Sequence, residues 1–259
     1  MDLGIAGRKA IVCASSRGLG KGCAMALAQA GCTVVVNGLD PERLAATARE
    51  IAEATGATVI PVAADVSTRA GQDAILAACT EPDILVNNNG GPPPRGFREI
   101  NRDAMLDGVI QNMVTPIELI QRVVDGMIAR RFGRIINITS ASVLTPLVGL
   151  DLSSGARAGL TAFLAGAARE VAHANVTINA VLPGMFDTDR LTSSTKRMAE
   201  MRKVDPDTMR RDRMATVPAG RFGQVDEFGQ LCAFLASAHA GYITGQNILI
   251  DGGTFRASF

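Results

Sequence analysis

Proton-transfer and metal-binding side chains are scarce in this chain of 259 residues, which has one tyrosine and two histidines. The tyrosine, Tyr242, stands near the C-terminus, where a structural role is expected. His173 and His239 are far apart, and Cys13, Cys23, Cys32, Cys79 and Cys232 occur singly among apolar neighbours without a C-x-x-C pair. That spacing argues against a metal site or a disulfide framework and for reduced, buried thiols in a cytoplasmic protein. A net charge of +1 gives no electrostatic reason to expect a nucleic-acid or membrane-surface partner. No apolar run reaches membrane-spanning length, and the opening MDLGIAGRKAIV has no signal-peptide core. What remains is the expectation of a small-molecule enzyme or binding protein with no metal, no nucleic acid and no membrane.

Apolar residues make up 47% of the chain, a composition suited to helices packed closely on a parallel sheet. Strand-length apolar runs fall at 9–13, 33–37, 58–63, 84–87, 134–139, 177–182 and 247–250. Helical spacing fills 20–30, 41–55, 69–79, 101–130, 153–174 and 225–237. Strands alternating with helices predict parallel βαβ units, hence a doubly wound α/β fold with a seven-stranded sheet and helices on both faces. Residues 1–259 read as one domain. Two stretches break the alternation. GGPPPRG at 90–96 is turn-rich, and 185–221 is long, Met-rich and basic, with Lys196, Arg197, Arg202, Lys203, Arg210, Arg211 and Arg213. The second reads either as a substrate lid or as a solvated, charged helix pair.

Residues 11–20, IVCASSRGLG, run from a strand through a small-residue turn into a helix. Such a turn lets backbone approach a pyrophosphate and presents the free N–H groups of a helix start to it. The pattern resembles the T-G-x-x-x-G-x-G turn of short-chain dehydrogenases/reductases, with Cys13 and Ala14 in the first two places and Gly18 and Gly20 matching. The resemblance continues through Asp65-Val66, Asn87-Asn88-Asn89-Gly90 (for N-N-A-G), Asn112, Ser140, Pro183-Gly184 with Thr188, and GYITGQNILIDGG near the end. It implies a Rossmann fold that binds NADP or NAD through Ala14, Ser16, Arg17, Gly18, Leu19, Gly20, Asn37, Asp65, Val66, Asn87, Asn89, Gly90, Pro183, Gly184 and Thr188. It also implies a homotetramer formed through helices 153–174 and 225–237, whose Ala158, Leu160, Phe163, Leu164, Phe228, Leu231, Phe234 and Leu235 are small or apolar. The second strand ends in Val36-Asn37-Gly38-Leu39 with no acid before Asp40, and Arg17 can meet a 2′-phosphate; both favour NADP.

The chemistry departs from the family at its acid. Ser153 stands in the place of the family's Tyr and Arg157 in that of its Lys, so the expected catalytic set is Ser140, Asn112, Ser153 and Arg157. A phenol with a pKa near ~10 is tuned towards neutrality by nearby cations, whereas an aliphatic hydroxyl is a far weaker acid. Arg157 does not titrate but can hold ribose hydroxyls and face an oxyanion. Asp151, Asn89 or a water relay through Ser140 and Ser153 are candidate proton sources, with helix capping the commoner role for Asp151. An oxidoreductase similar to 3-oxoacyl-carrier-protein reductases is the leading expectation. A nucleotide-binding pseudoenzyme or regulator, and lyase or isomerase chemistry in the same pocket, are the alternatives. The basic stretch at 185–221 leans towards a small-molecule substrate that is anionic or carrier-bound.

Overall fold

The computed structural model describes residues 1–257. Seven strands, β1 (Lys9–Val12), β2 (Thr33–Gly38), β3 (Val59–Ala63), β4 (Ile84–Asn87), β5 (Gly133–Ile138), β6 (Val176–Pro183) and β7 (Asn247–Ile250), pair in parallel in the order β3-β2-β1-β4-β5-β6-β7. Their side chains alternate between two cores. Val12, Val34, Val36, Val86, Ile136 and Val181 point to one face, where α1 (Gly18–Gln29), α2 (Pro41–Thr55) and α9 (Val225–Ala236) contribute Leu27, Leu44 and Phe228. Ile11, Val35, Leu85, Ile135 and Ile178 point to the other, met by Ile75 of α3 (Arg69–Ala78), Leu119 and Met127 of α5 (Thr115–Ala129), and Leu160 and Leu164 of α6 (Asp151–Val171). Burial on both sides is why these strands read as continuous apolar runs. The order reverses direction beside β1, so the crevice between β1 and β4 opens at the carboxyl ends of the strands.

Helices α1 and α9 cross closely, with a glycine of each at the contact. A side chain on Gly22 would meet Val225, and one on Gly229 would run into the main chain of Gly22. The helix that starts at the small-residue turn is therefore seated directly on α9.

Three expectations are corrected in detail. The segment 101–130 is not one helix but α4 (Arg102–Val109), a π turn at Ile110–Val114 and then α5. Pro116, in the first turn of α5, has no N–H to return to the preceding turn, and the widened turn accommodates that loss. The helix carrying Ser153 begins at Asp151 rather than 153. Leu150 occupies its cap position without a side-chain bond, so Asp151 is not the cap; it lies in the first turn, the end that favours a negative charge. Finally, the exposed apolar surface on the two helices 153–174 and 225–237 is smaller than their sequence suggests. Leu160, Leu164, Phe228 and Leu235 are buried within the chain, while Phe163 and Phe234 are 50% and 37% exposed. A larger exposed row, Met105, Leu106, Val109, Ile110 and Val114, follows α4 and the π turn.

The stretch 185–221 folds as two helices, α7 (Asp189–Arg202), capped by Thr188, and α8 (Pro206–Ala215), capped by Asp205. Leu191, Val217 and Phe222, with Met185 and Met214 against them, give this pair a small apolar cluster apart from the two sheet cores. Among the described residues no helix is long and apolar enough to cross a membrane.

Candidate active site

The small-residue turn between β1 and α1 is fixed from behind by Asn37. This side chain accepts from Ala14 N (3.2 Å) and donates to Val62 O (3.1 Å) and Ala64 O (2.8 Å), tying the turn to β2 and β3. Asn37 is 1% exposed with its hydrogen-bonding groups engaged, so its place is behind the turn rather than against a ligand. Ala14 adopts φ 44°, the left-handed region that costs a residue with a Cβ about 1–2 kcal/mol. Gly18, at φ 56°, meets the same demand without that cost. A Cβ on Gly20 would run into the Ala14 carbonyl oxygen, so Gly20 is needed by the packing of the turn itself.

Arg17 occupies the cap position of α1 without a side-chain bond, and no acid lies in the first turn. The leading N–H groups, from Gly18 through Gly20, thus face outward at the positive end of a helix, a setting that suits a pyrophosphate. Gly38 ends β2 with its Cα beside Ser16 Oγ, and a Cβ there would lie 3.0 Å from that oxygen. The Arg17 guanidinium is 3.5 Å from Asp189, in a pair that is mostly exposed. Leu19 packs on the core beneath the turn. Asp65 is exposed and accepts from Ser67 N and Oγ, while Val66 is buried. These residues fit the phosphates and adenosine of a nicotinamide dinucleotide.

At the other end of the crevice three consecutive asparagines leave β4 and do different things. Asn87 Nδ2 donates to Asn137 Oδ1 (3.0 Å), Asn88 Nδ2 to Ala14 O (3.1 Å), and Asn89 Nδ2 to Gln111 O (3.1 Å). Asn89 also accepts from Gly90 N, and Gly90 itself is exposed to open space. Val66, Asn87, Asn89, Asn112, Thr115 and Arg157 line one small cavity of about 20 Å³, large enough for a water molecule. Asn87 Oδ1, Asn112 Oδ1 and Thr115 Oγ1 are buried and have no protein partner among the described residues, so the cavity offers acceptors. On the far side, Gly184 packs on Asp251 and donates to Ile250 O (2.9 Å), seating the Pro183-Gly184 turn on β7. Thr188 faces Gly18: a Cβ there would lie 3.8 Å from the Thr188 methyl group.

Ser140 follows β5 and opens a short 3-10 turn, Ala141–Val143. Its Oγ accepts from Ser142 N (3.1 Å), with Ser142 Oγ 2.9 Å away. Ser153 and Arg157 lie one turn apart on α6, both buried. Arg157 Nε donates to Ser153 Oγ (3.0 Å), and Nη1 donates to the carbonyls of Ile138 (2.6 Å) and Thr139 (3.0 Å) at the end of β5. The guanidinium therefore braces backbone and serine, leaving only Nη2 to reach a ligand. Burial, assisted by the field of Arg190, pushes its pKa down to about 10, so it stays a cation at neutral pH.

The structure thus unites Asn112, Arg157, Val66, Asn87 and Asn89 at one cavity and sets Thr188 opposite the glycine turn. It withdraws Asn37 from direct contact and assigns Asp151 no hydrogen bond. Sequence reading missed Asn88, which sits inside the asparagine motif; Thr115, one helical turn beyond Asn112; and Arg190, two residues past Thr188. Among the described residues no group of three metal-ligating side chains occurs.

Comparison with known proteins gives the family and the fold. A family model described as enoyl-(acyl carrier protein) reductase matches residues 13–254. The 3-oxoacyl-[acyl-carrier-protein] reductase FabG of Aquifex aeolicus is 32% identical over 98% of this chain and 100% of its own length. The NADPH-dependent reductase BacG of Bacillus subtilis is 32% identical over 96% and 98%. Among solved structures, the L-sorbose reductase of Gluconobacter frateurii, complexed with NADPH and L-sorbose, superposes with a TM-score of 0.93 at 29% identity over 99% of this chain and 100% of that one.

Proposed function

The chain belongs to the short-chain dehydrogenase/reductase family, and on that premise we propose that it is an NADP(H)-dependent carbonyl reductase in which a pair of serine hydroxyls hydrogen-bonds the substrate oxygen and water supplies the proton. Bound NADPH supplies the hydride; the residues around it position and polarise the carbonyl, and the alkoxide so formed takes its proton from water. The observation that carries the reading is how the two serine oxygens are loaded. Ser140 Oγ accepts from Ser142 N, and Ser153 Oγ accepts from the Arg157 guanidinium. With their lone pairs engaged from the protein side, both O–H groups are free to donate to a substrate carbonyl oxygen. Arg157 makes Ser153 a better donor because the charge behind its oxygen disperses negative charge developing in front of it. Such an oxyanion hole stabilises an alkoxide without an acid of matched pKa, and the missing phenol costs on the order of 10²–10⁴ in rate.

The cofactor choice rests on Arg17, on the absence of an acid at Gly38, and on the NADPH named for the relatives. Arg17 exchanges its exposed contact with Asp189 for the 2′-phosphate, a small loss because such surface pairs contribute little. The helix pair α7–α8 acts as a lid over a small-molecule substrate, anionic or carried on an acyl carrier, in a homotetramer of the cytoplasm. The exposed apolar row of α4 with Phe163 supports self-association.

Calorimetric titration with the four nicotinamide cofactors and a turnover screen of oxo acids, ketoses and 3-oxoacyl thioesters test this together. NADPH is expected to bind at least tenfold tighter than NADH, with Arg17→Ala narrowing the gap. Ser140→Ala and Ser153→Ala should each lower kcat by ten- to a hundredfold with the NADPH Kd unchanged. Absence of heat with every cofactor removes the reading. Binding without turnover of any compound leaves a nucleotide-binding protein in its place.

A further inference from the structure

We infer that Arg190 is an anion receptor inside the substrate cleft, and that the substrate carries a carboxylate alongside its reacting carbonyl, as an oxo acid does. This rests on the proposed reductase reading for the carbonyl, but not for the anion site. Arg190 lies in the first turn of α7, immediately after Thr188 and Asp189. Its guanidinium is laid across the cleft onto the connection that follows β4. A Cβ on Gly91 would lie 2.6 Å from Arg190 Nη2, 3.1 Å from Nη1 and 3.3 Å from Cζ. A side chain at 91 would push the flexible guanidinium aside, so the head rests where it does against the loop beyond Asn89 and Gly90.

Arg190 is exposed to solvent, and among the described residues no carboxylate pairs with it. A cation at the start of a helix stands at the unfavourable end of its dipole. The two nearby acids are engaged elsewhere: Asp189 is 3.5 Å from Arg17, and Asp187 is 2.7 Å from Arg210. Among the described residues Arg190 has no hydrogen bond or ion pair of its own. Its field also reaches Arg157, whose pKa is held down first by burial and then by Arg190. Arg190 rests on the loop just beyond Asn89, which lines the same cavity as Arg157, and Arg157 Nη2 has no protein partner among the described residues. A planar fork matches a carboxylate in bidentate fashion, and a bound carboxylate relieves the repulsion. Two of the basic residues that suggested an anionic substrate from sequence are engaged within the protein. Arg210 is paired with Asp187, and Arg213 donates to Ser194 and Thr195.

The test uses the protein loaded with NADP⁺ and calorimetric titration with acetate, malonate, oxalate and inorganic phosphate. Carboxylate binding is expected in wild type, weakened at least tenfold in Arg190→Met and partly retained in Arg190→Lys. Gly91→Ala, which displaces the guanidinium without removing it, should weaken binding too. In turnover, an oxo acid should outrun its methyl ester by ten- to a hundredfold through KM, and Arg190→Met should erase that difference. Unchanged carboxylate affinity in Arg190→Met overturns the inference. So does a weaker NADP⁺ Kd with unaltered carboxylate binding, which assigns Arg190 to the cofactor pyrophosphate. Tighter phosphate than carboxylate binding overturns the carboxylate assignment. Failure of the reductase reading alone shows as carboxylate binding without any turnover.

Discussion

Replacing Arg157 with methionine keeps an unbranched apolar stem and removes the guanidinium head with its charge and its donors. The structure lets the consequence for stability be weighed. The depression of the Arg157 pKa to about 10, at about 1.4 kcal/mol per pKa unit, corresponds to a burial cost on the order of 3 kcal/mol. Against this, the hydrogen bonds to Ser153, Ile138 and Thr139 contribute about 1 kcal/mol each in net terms. The two effects nearly cancel, so Arg157→Met should fold with a stability within about 1 kcal/mol of wild type. For a chain of this length that is a change in Tm of about 2–4 °C. Turnover should fall at least a hundredfold, because Ser153 then has no cation behind its oxygen. Urea denaturation of the cofactor-free protein measures the first quantity and NADPH oxidation the second. A loss of more than about 3 kcal/mol would show that the arginine is a net structural brace whose burial costs little. Unimpaired turnover would show that polarisation of Ser153 is not part of the chemistry.

Ala14→Gly relieves the strain at φ 44° but adds freedom to the unfolded chain, worth about 0.4–1 kcal/mol. The balance predicts a Tm equal to or slightly above wild type, and a clear drop would refute the left-handed assignment. Gly20→Val drives a branched side chain into the Ala14 carbonyl; NADPH binding should vanish in calorimetry while circular dichroism still reports a folded α/β protein. Burial pushes the thiols of Cys13 and Cys32 up to about 12 from an ordinary 9.0. The folded state then holds their protons more tightly than the unfolded one, so their contribution to stability is complete below pH 9 and is lost as pH rises towards 12. An alkaline unfolding curve should show that decline, and iodoacetamide at pH 8 should label these thiols only after denaturation; rapid labelling of native protein would contradict it.

Where one physical cue dominates, the elements were legible. The β-branched runs gave every strand to within two residues at each end, because strands buried on both faces need unbroken apolar sequence. The α1 turn was legible for a similar reason, since close backbone approach admits only small residues. Asn37 was read as a ligand because its position beside the crevice is visible in sequence, whereas its inward rotation depends on carbonyls of β3 that sequence places far away. Pro116 carried a signal that was passed over: a proline inside a long helical segment marks a break or a widened turn. Arg190 gave no local signal, since its significance comes from Gly91 across the cleft and from neighbouring acids already paired.

The glycine-on-backbone crossing of α1 and α9 has a consequence for how the molecule is made. Synthesis runs from the N-terminus, and the turn proposed to receive pyrophosphate emerges from the ribosome before α9 does. Its helix rests on a surface that does not exist until the segment around Gly229 has been translated. A nascent chain halted before that point has β1 and α1 in sequence but an uncovered glycine face, and no seat to hold the turn in shape. On the proposed reading, nucleotide affinity therefore waits for α9 to be made and docked. By mass action, a cellular pool of the dinucleotide then protects complete molecules and does nothing for truncated ones.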